Sequence, residues 1–250
     1  MPLTSIIILT LNNLAITRKC LHSIYKYTKQ PYEIIIIDNG SDKSMIKYLK
    51  KLQDIKLICN EENRGFSGGC NQGLKVAKGK QILLLNNDTV VSHNWLKNLS
   101  SALYSDKTVG MVGPVSNAAL PQQLYHANYS NFIEYHRFAS MHNIHNPNRW
   151  KSVAVLSGFC LLFKKEVLKK IGILDERFTL GTYEDIDFSY RAFRSGYKMI
   201  VAGDTYVHHD GNTSFKSNNI NMKDISHINE KKFIKKWGIE KPEELLYINI

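Results

Sequence analysis

Along the first third of the chain, apolar residues come in short continuous runs, separated by stretches in which they recur every three or four positions. Ser5 to Leu11 is such a run, β-branched and uncharged, as a strand buried on both faces should be. Asn12-Asn13 breaks it. From Leu14 to Tyr27, the residues Ile16, Cys20, Leu21, Ile24 and Tyr27 share a helical face, with Arg18 and Lys19 between them. The alternation continues with a strand over Glu33 to Ile37, a helix over Met45 to Leu52 and a strand over Ile55 to Cys59. A helix over Gly68 to Lys78, stopped by Gly79, leads to a strand over Gln81 to Leu85. Strands alternating with helices predict an α/β fold with a parallel sheet and right-handed crossovers.

The pattern then loosens. Trp95 to Ser105 reads as a helix and Val109 to Val112 as a strand, but Pro114 to Trp150 is rich in Asn, His, Gln and aromatics and has weak periodicity. A stretch of that kind inside a compact domain points to function or motion. Val153 to Phe163 is strand-like with Ser157-Gly158 inside it, and Lys164 to Ile171 is helical. Asp185 to Ser195 is a helix stopped by Gly196; Met199 to Ala202 and Tyr206 to His208 are strand-like. Ile225 to Trp237 is a basic amphipathic helix stopped by Gly238. No repeat or low-complexity linker divides the 250 residues, so a single domain is expected.

Polar residues collect where the early strands end: Asn12, then Asp38, then Asn86-Asn87-Asp88. Open α/β sheets bind ligands along that edge. Asp88 suits Mg²⁺ or Mn²⁺, hard ions that prefer oxygen and bridge phosphates, with a turn or helix cap as the alternative. Glu184-Asp185 opens a helix, with Asp187 two residues on, where capping alone would favour carboxylates. The aromatic, glycine-bearing Phe178 to Tyr183 ahead of them suits a pocket wall, from which a carboxylate would deprotonate a hydroxyl. His208-His209-Asp210-Gly211 offers imidazoles to a metal or phosphate, or forms a surface turn. Asn63 to Gly69 is glycine-rich ahead of a helix and can approach an anion closely, yet it has neither a Walker A ending nor the full GxGxxG spacing.

Charge and cysteines narrow the field. A net charge of +11 favours anionic partners, whether nucleic acid, acidic membrane or phosphorylated small molecules. The basic residues are scattered in short groups such as Lys164-Lys165, without zinc-finger spacing or an arginine-rich tail, so no nucleic acid partner is expected. Cys20, Cys59, Cys70 and Cys160 form no CxxC pair and suit a reducing compartment. No charged n-region precedes the first apolar run, and no run is long enough to span a bilayer. The expected location is cytoplasmic, at most peripheral to the inner membrane face. Lys231, Lys232, Lys235 and Lys236 with Phe233 and Ile234 would make that contact, the alternative being a solvated helix over the core.

In order, these segments resemble the family 2 glycosyltransferases of the GT-A fold. Thr10-Leu11-Asn12 is similar to the family's opening motif, and Ile36 to Asp42 to its second strand with a nucleobase-binding Asp. Asn63-Arg64-Gly65-Phe66 through Asn71-Gln72-Gly73 resembles its glycine-rich loop and helix, and Leu84 to Asp88 stands where its DxD motif belongs. Ser157-Gly158-Phe159 with Gly172 to Phe178 resembles its middle region, Tyr183 to Arg191 its Glu-Asp motif, and Val207-His208-His209 through Ser214 its closing histidine segment.

The resemblance implies a single Rossmann-like GT-A domain with a mostly parallel central sheet flanked by helices. Residues 1–113 would form the nucleotide-binding half and 114–250 the acceptor and catalytic half. Thr10, Asn12, Asp38, Arg64, Asn86 and Asn87 would bind the nucleotide, and Asp88 with His208 or His209 would hold Mn²⁺ or Mg²⁺. Asp185 would be the general base and Glu184 would position a substrate. Asn86 departs from the family pattern by removing the first carboxylate of DxD. The implied activity is inverting transfer from a nucleotide-sugar donor, UDP first with TDP or GDP as alternatives. The acceptor would be a hydroxyl on a glycan, a lipid-linked glycan or a protein, in polysaccharide or glycoconjugate biosynthesis. Closure of His142 to Lys151 over the site is expected to select the acceptor. Two rival readings are a nucleotidyltransferase, whose lysine-bearing glycine-rich first loop is missing here, and a non-catalytic sugar-nucleotide or glycan-binding protein, against which Asp88 and Asp185 both argue.

Overall fold

The computed structural model describes residues 1–211 and 221–248. The first part of the chain alternates as its periodicity predicts: β1 (Thr4–Thr10), α1 (Leu14–Tyr27), β2 (Tyr32–Asp38), α2 (Lys43–Leu49), β3 (Ile55–Cys59), α3 (Gly65–Val76) and β4 (Gln81–Asn86). There follow β5 (Thr89–Val90), α4 (Trp95–Leu103), β6 (Val109–Val115), α5 (Phe132–His142), β7 (Trp150–Val153), β8 (Cys160–Lys164) and α6 (Lys165–Ile171). The described elements close with α7 (Glu184–Arg194), β9 (Lys198–Tyr206), β10 (His208–His209) and α8 (Met222–Trp237).

Eight strands form one sheet in the order β3-β2-β1-β4-β8-β6-β9-β7, and β10 pairs with β5 in a small second sheet. The pairs β3-β2, β2-β1, β1-β4 and β6-β9 are parallel. β8 runs antiparallel to both β4 and β6, and β7 antiparallel to β9, so the sheet is mostly rather than wholly parallel. The isoleucine run of β1 is explained by its central place. Ile6 and Ile8 pack with Ile34, Ile36, Leu83 and Leu85 on one face, and Ile7 packs with Ile35, Ile37 and Leu84 on the other. A one-residue slip would exchange these faces, and with both faces apolar the register rests on the polar strand ends. Asn12 and Asn13, both left-handed (φ 56° and 59°), turn the chain from β1 into α1, a conformation asparagine tolerates better than other non-glycine residues.

Three segments depart from the pattern. α5 lies inside the stretch with weak periodicity. It buries Tyr135, Ala139 and His142 while exposing Ile133 and Met141, so its apolar and buried faces do not coincide. Its start is nevertheless written in the sequence as an asparagine N-cap, because Asn131 accepts from the backbone of Ile133 and Glu134, while Glu134 reaches back to accept from the Ser130 amide. The run from Val153 to Phe163 is broken: β7 ends at Val153, β8 begins at Cys160, and Ser157-Gly158 lies between them. Met199 to Ala202 and Tyr206 instead belong to one strand, β9, with a register shift opposite Pro114 and Val115. Gly203 lets that strand pass beneath the loop before β7, since a Cβ there would meet the Arg149 carbonyl oxygen at 2.3 Å.

Candidate active site

The carboxyl ends of β1 and β4 open into a cavity of about 710 Å³. Thr10 and Asn86 to Asp88 form its floor, Ser157 to Phe159 and Leu180 to Ile186 its walls, and Met222, Ser226 and Glu230 of α8 reach it from the far side. Among the described lining residues there is no lysine or arginine, although the whole chain carries +11. Acidic groups and a single imidazole, His209, are the ionisable side chains there apart from Tyr183.

Of the nucleotide candidates, Thr10, Asn86 and Asn87 line the cavity. Asp38 is fully buried behind Thr10: its Oδ1 accepts from the Thr10 hydroxyl at 3.4 Å and its Oδ2 from the Ser41 amide at 3.2 Å. Asn12 ties the turns after β1 and β2 together, its amide donating to Ser41 Oγ (2.7 Å) and its Oδ1 accepting from Asp42 N (2.9 Å). Arg64 is exposed just before α3, and its backbone amide donates to Asn39 Oδ1 at 3.2 Å. Asn12, Asp38 and Arg64 therefore shape the rim or lie behind it, and are not part of the cavity wall. Asn39 does line it. Its Nδ2 donates to Asn63 Oδ1 (2.7 Å) and its Oδ1 accepts from Asn60 (3.0 Å), fixing the loop that leads into α3.

The Asn86-Asn87-Asp88 turn meets β10 across the cavity floor. Asp88 is buried, and its Oδ1 has no hydrogen-bond partner; the His209 Nε2 atom stands 3.2 Å away. His209 Nδ1 lies 2.7 Å from the Ala118 carbonyl oxygen, which can only accept, so Nδ1 carries a proton. In the neutral ring Nε2 is then a lone pair facing Asp88, and Asn86 Nδ2 approaches it at 3.4 Å as a donor. A ring whose second nitrogen donates to a backbone carbonyl is the usual arrangement of a metal-ligating histidine. Burial opposes charge on His209, but Asp88 and the Ala118 carbonyl outweigh it and raise the pKa above the ordinary value. Phe159 stacks on the ring at 4.9 Å between centroids.

Between the two histidines that the sequence leaves open, the geometry separates His208 from the cavity. Adjacent strand residues face opposite ways, and its ring turns from the cavity into an aromatic cluster. Its Nδ1 is 2.6 Å from the Tyr129 hydroxyl and its Nε2 2.9 Å from Asp210 Oδ1. His209 alone of the two belongs to the wall. Ser214, at the end of that resemblance segment, lies outside the described residues.

Opposite the floor, Glu184 and Asp185 both line the cavity at the start of α7. Asp185 Oδ2 accepts from Gly158 N (2.7 Å) and Oδ1 from Ile186 N (2.8 Å). Burial raises the pKa of Asp185, and these amide donors temper the rise. Glu184 Oε2 is buried without a partner. Burial first, and then the Asp185 charge, push its pKa well above the carboxylate range. Asp187 faces away, where its carboxylate binds Arg191, Lys236 and Trp237.

One other expectation changes. The stretch 142–151 does not cover the cavity but packs on β9, with His142 Nε2 3.0 Å from the Gly203 carbonyl and Asn146 N donating to Asp204 at 2.8 Å. On α8, Phe233 is fully buried, Lys236 pairs with Asp175 and Asp187, and Lys232 donates to the Arg177 carbonyl. The helix thus sits over the core through Phe233, while Ile228 stays exposed and Ile234 half-buried. No helix among the described residues is long and apolar enough to cross a membrane. Sequence reasoning missed Asn39, Ala118 and the α8 contribution. Met222, Ser226 and Glu230 are spaced four apart, but only Met222 is apolar, so no continuous stripe marks them as a wall.

Comparison with known proteins bears on this geometry. Hyaluronan synthase of Pasteurella multocida is 27% identical over 229 residues, which are 77% of this chain and 23% of that protein. Chondroitin synthase of Pasteurella multocida (strain Pm70) is 26% identical over 242 residues, 81% of this chain and 24% of that one. The chain spans about a quarter of the length of these relatives. The crystal structure of GalNAc-T7 with UDP, GalNAc and Mn²⁺ superposes with a TM-score of 0.66 at 18% identity, over 84% of this chain and 43% of that one. Mannosyltransferase PcManGT from Pyrobaculum calidifontis, in complex with GDP-Man and Mn²⁺, gives 0.61 at 19% identity, over 91% and 69%. These likenesses show a GT-A fold. The family model for glycosyl transferase family 2 matches residues 5–172, and the chain belongs to that family.

Proposed function

We propose that this chain transfers a sugar from a nucleoside diphosphate to a hydroxyl acceptor with inversion, in glycan or polysaccharide synthesis. The observation that carries the reading is the cavity itself. Two carboxylates, buried Glu184 and half-buried Asp185, stand across it from Asp88 Oδ1 and His209 Nε2, which lie 3.2 Å apart, with no basic side chain among the described lining residues. A diphosphate entering such an acidic cavity needs a cation. Asp88 and His209 supply one oxygen and one nitrogen donor, a set that suits Mn²⁺ and also admits Mg²⁺. Such an ion would act as a Lewis acid on the leaving diphosphate.

The chain's own residues do the rest. Thr10, Asn39 and the Asn86 side chain offer hydrogen bonds to base and ribose. Asp38 supports Thr10 from behind. The Asp185 carboxylate accepts the acceptor's hydroxyl proton as that oxygen attacks the anomeric carbon, and its raised pKa makes it a stronger base than an exposed aspartate. Glu184 stays protonated to higher pH, and its unpartnered Oε2 can then donate a hydrogen bond to a bound substrate. A UDP-sugar is the proposed donor, with TDP- and GDP-sugars as the competing classes. The relatives named as hyaluronan and chondroitin synthases support a polysaccharide or glycoconjugate acceptor.

The test is turnover of UDP-, TDP- and GDP-sugars with Mn²⁺, with the product anomer read by proton NMR. One donor class should turn over with inversion, and Asp185→Asn should abolish it. Binding without turnover of any donor, unaltered by Asp185→Asn, would make the protein a sugar-nucleotide binder instead.

A further inference from the structure

The chain enters α7 through an unusual backbone. Leu180, Gly181, Thr182 and Tyr183 have φ of 61°, 126°, 71° and 67°, so three non-glycine residues within a run of four take the left-handed region. One of them is β-branched, for which this conformation is a genuine outlier. Tyr183 is the N-cap of α7, and its side chain makes no capping bond. Nothing local therefore favours the turn that delivers Glu184 and Asp185. Such strain persists only where surrounding structure over-determines it.

The restraint comes from α8. Asn229 is fully buried, and its Nδ2 faces the carbonyls of Gly181 (2.7 Å), Thr179 (3.0 Å) and Thr182 (3.2 Å), with Thr182 Oγ1 at 3.4 Å. Lys232 donates to Asn229 Oδ1 at 3.2 Å, which fixes the amide so that its donors face the turn. The same Lys232 holds the Arg177 carbonyl at 2.7 Å. From the other side the turn rests on Gly65, where a Cβ would meet Leu180 N at 3.0 Å. Downstream, Asp185 is pressed against Gly158 just as closely.

We propose that Asn229 is a positioning residue for the transfer reaction: it holds the left-handed 180–183 turn and thereby sets where Glu184 and Asp185 stand. This rests on the function proposed above. Asn229 is not in the cavity wall and touches no reacting atom. Its removal frees the turn to relax toward negative φ, which rotates the start of α7 and moves the base.

The experiment compares wild type, Asn229→Ala, Thr182→Gly and the double variant by turnover, by UDP affinity with Mn²⁺ and by amide hydrogen exchange over residues 180–186. Asn229→Ala should lower kcat by about tenfold or more while UDP affinity changes by less than about twofold. Exchange over 180–186 should quicken. Glycine takes positive φ without penalty, so the kcat loss caused by Asn229→Ala should be smaller in the Thr182→Gly background. An equal loss in both backgrounds, or a parallel loss of UDP affinity, would show Asn229 to be a packing residue and overturn the proposal. If the wild type turns over no donor, the functional reading fails, and the exchange comparison alone decides the clamp: unchanged exchange in Asn229→Ala refutes it.

Discussion

Gly158→Ala offers a sharp test of where the base stands. A Cβ on residue 158 would lie 3.0 Å from Asp185 Cβ, 3.4 Å from Oδ2 and 3.6 Å from Cγ. Carbon atoms in contact prefer about 3.5–4.0 Å, so Asp185 must retreat by roughly half an ångström. The retreat lengthens the 2.7 Å bond from Gly158 N to Oδ2, which stabilises the ionised carboxylate. A hydrogen bond to a charged group is worth about 1.5–3 kcal/mol, and a displaced catalytic group loses about one to two decades of rate. Turnover should therefore fall about 10- to 100-fold. Losing a donor to the charged form raises the Asp185 pKa further, so the acid limb of kcat/KM must move to higher pH. Overpacking of about 1–3 kcal/mol, at about 2–4 °C per kcal/mol, should lower Tm by roughly 2–12 °C. Thr10 and Asn39 lie elsewhere on the wall, so UDP affinity with Mn²⁺ should hold. Steady-state rates from pH 5 to 9 would decide it: unchanged kcat with an unmoved acid limb refutes the role given to Asp185.

Glu184→Gln should trade activity for stability. The folded chain keeps a proton on Glu184 that the unfolded chain has released, so wild-type stability falls as pH rises from the ordinary carboxylate pKa through the raised folded one. In urea melts the variant should be the more stable protein at pH 8, by about 1–2 kcal/mol, with the gap closing toward pH 4; no gap at pH 8 would contradict the burial argument. His142 behaves oppositely: burial and the Arg149 guanidinium push its pKa down to about 4. Stability should drop as pH falls from about 6.5, with a contribution of up to about 1.4 kcal/mol per pH unit, and His142→Gln should flatten that slope in pH-dependent urea midpoints. Asp187→Ala removes the only carboxylate beside Arg191 among the described residues, a side chain that is 15% exposed and keeps the Ile173 carbonyl, and leaves Lys236 with Asp175 alone; it should cost about 1–3 kcal/mol in thermal melts.

The first half of the fold was legible because β1, β2 and β4 are buried on both faces and read as uninterrupted aliphatic runs. The polar ends of those strands marked the cavity floor for the same reason: only the strand ends escape the core. α5 was hidden because its buried face is Tyr135, Ala139 and His142, and its exposed face is Ile133 and Met141. The choice between His208 and His209 needed the pairing of β10 with β5, which no local pattern announces. Asp38 and Arg64 carry the motif resemblance, and their place comes from the fold: register sets Asp38 behind Thr10, and the turn before α3 leaves Arg64 exposed. The left-handed turn and its Asn229 restraint were illegible, since the two lie far apart in sequence and Leu-Gly-Thr-Tyr states no preference for it.

Calorimetric titration of UDP, with and without Mn²⁺, into wild type, Asp88→Ala, His209→Ala and His208→Gln tests the central claim most directly. The account predicts metal-dependent binding to wild type and His208→Gln, lost in Asp88→Ala and His209→Ala. Binding that ignores the metal, or that survives both cavity-floor substitutions, would contradict it.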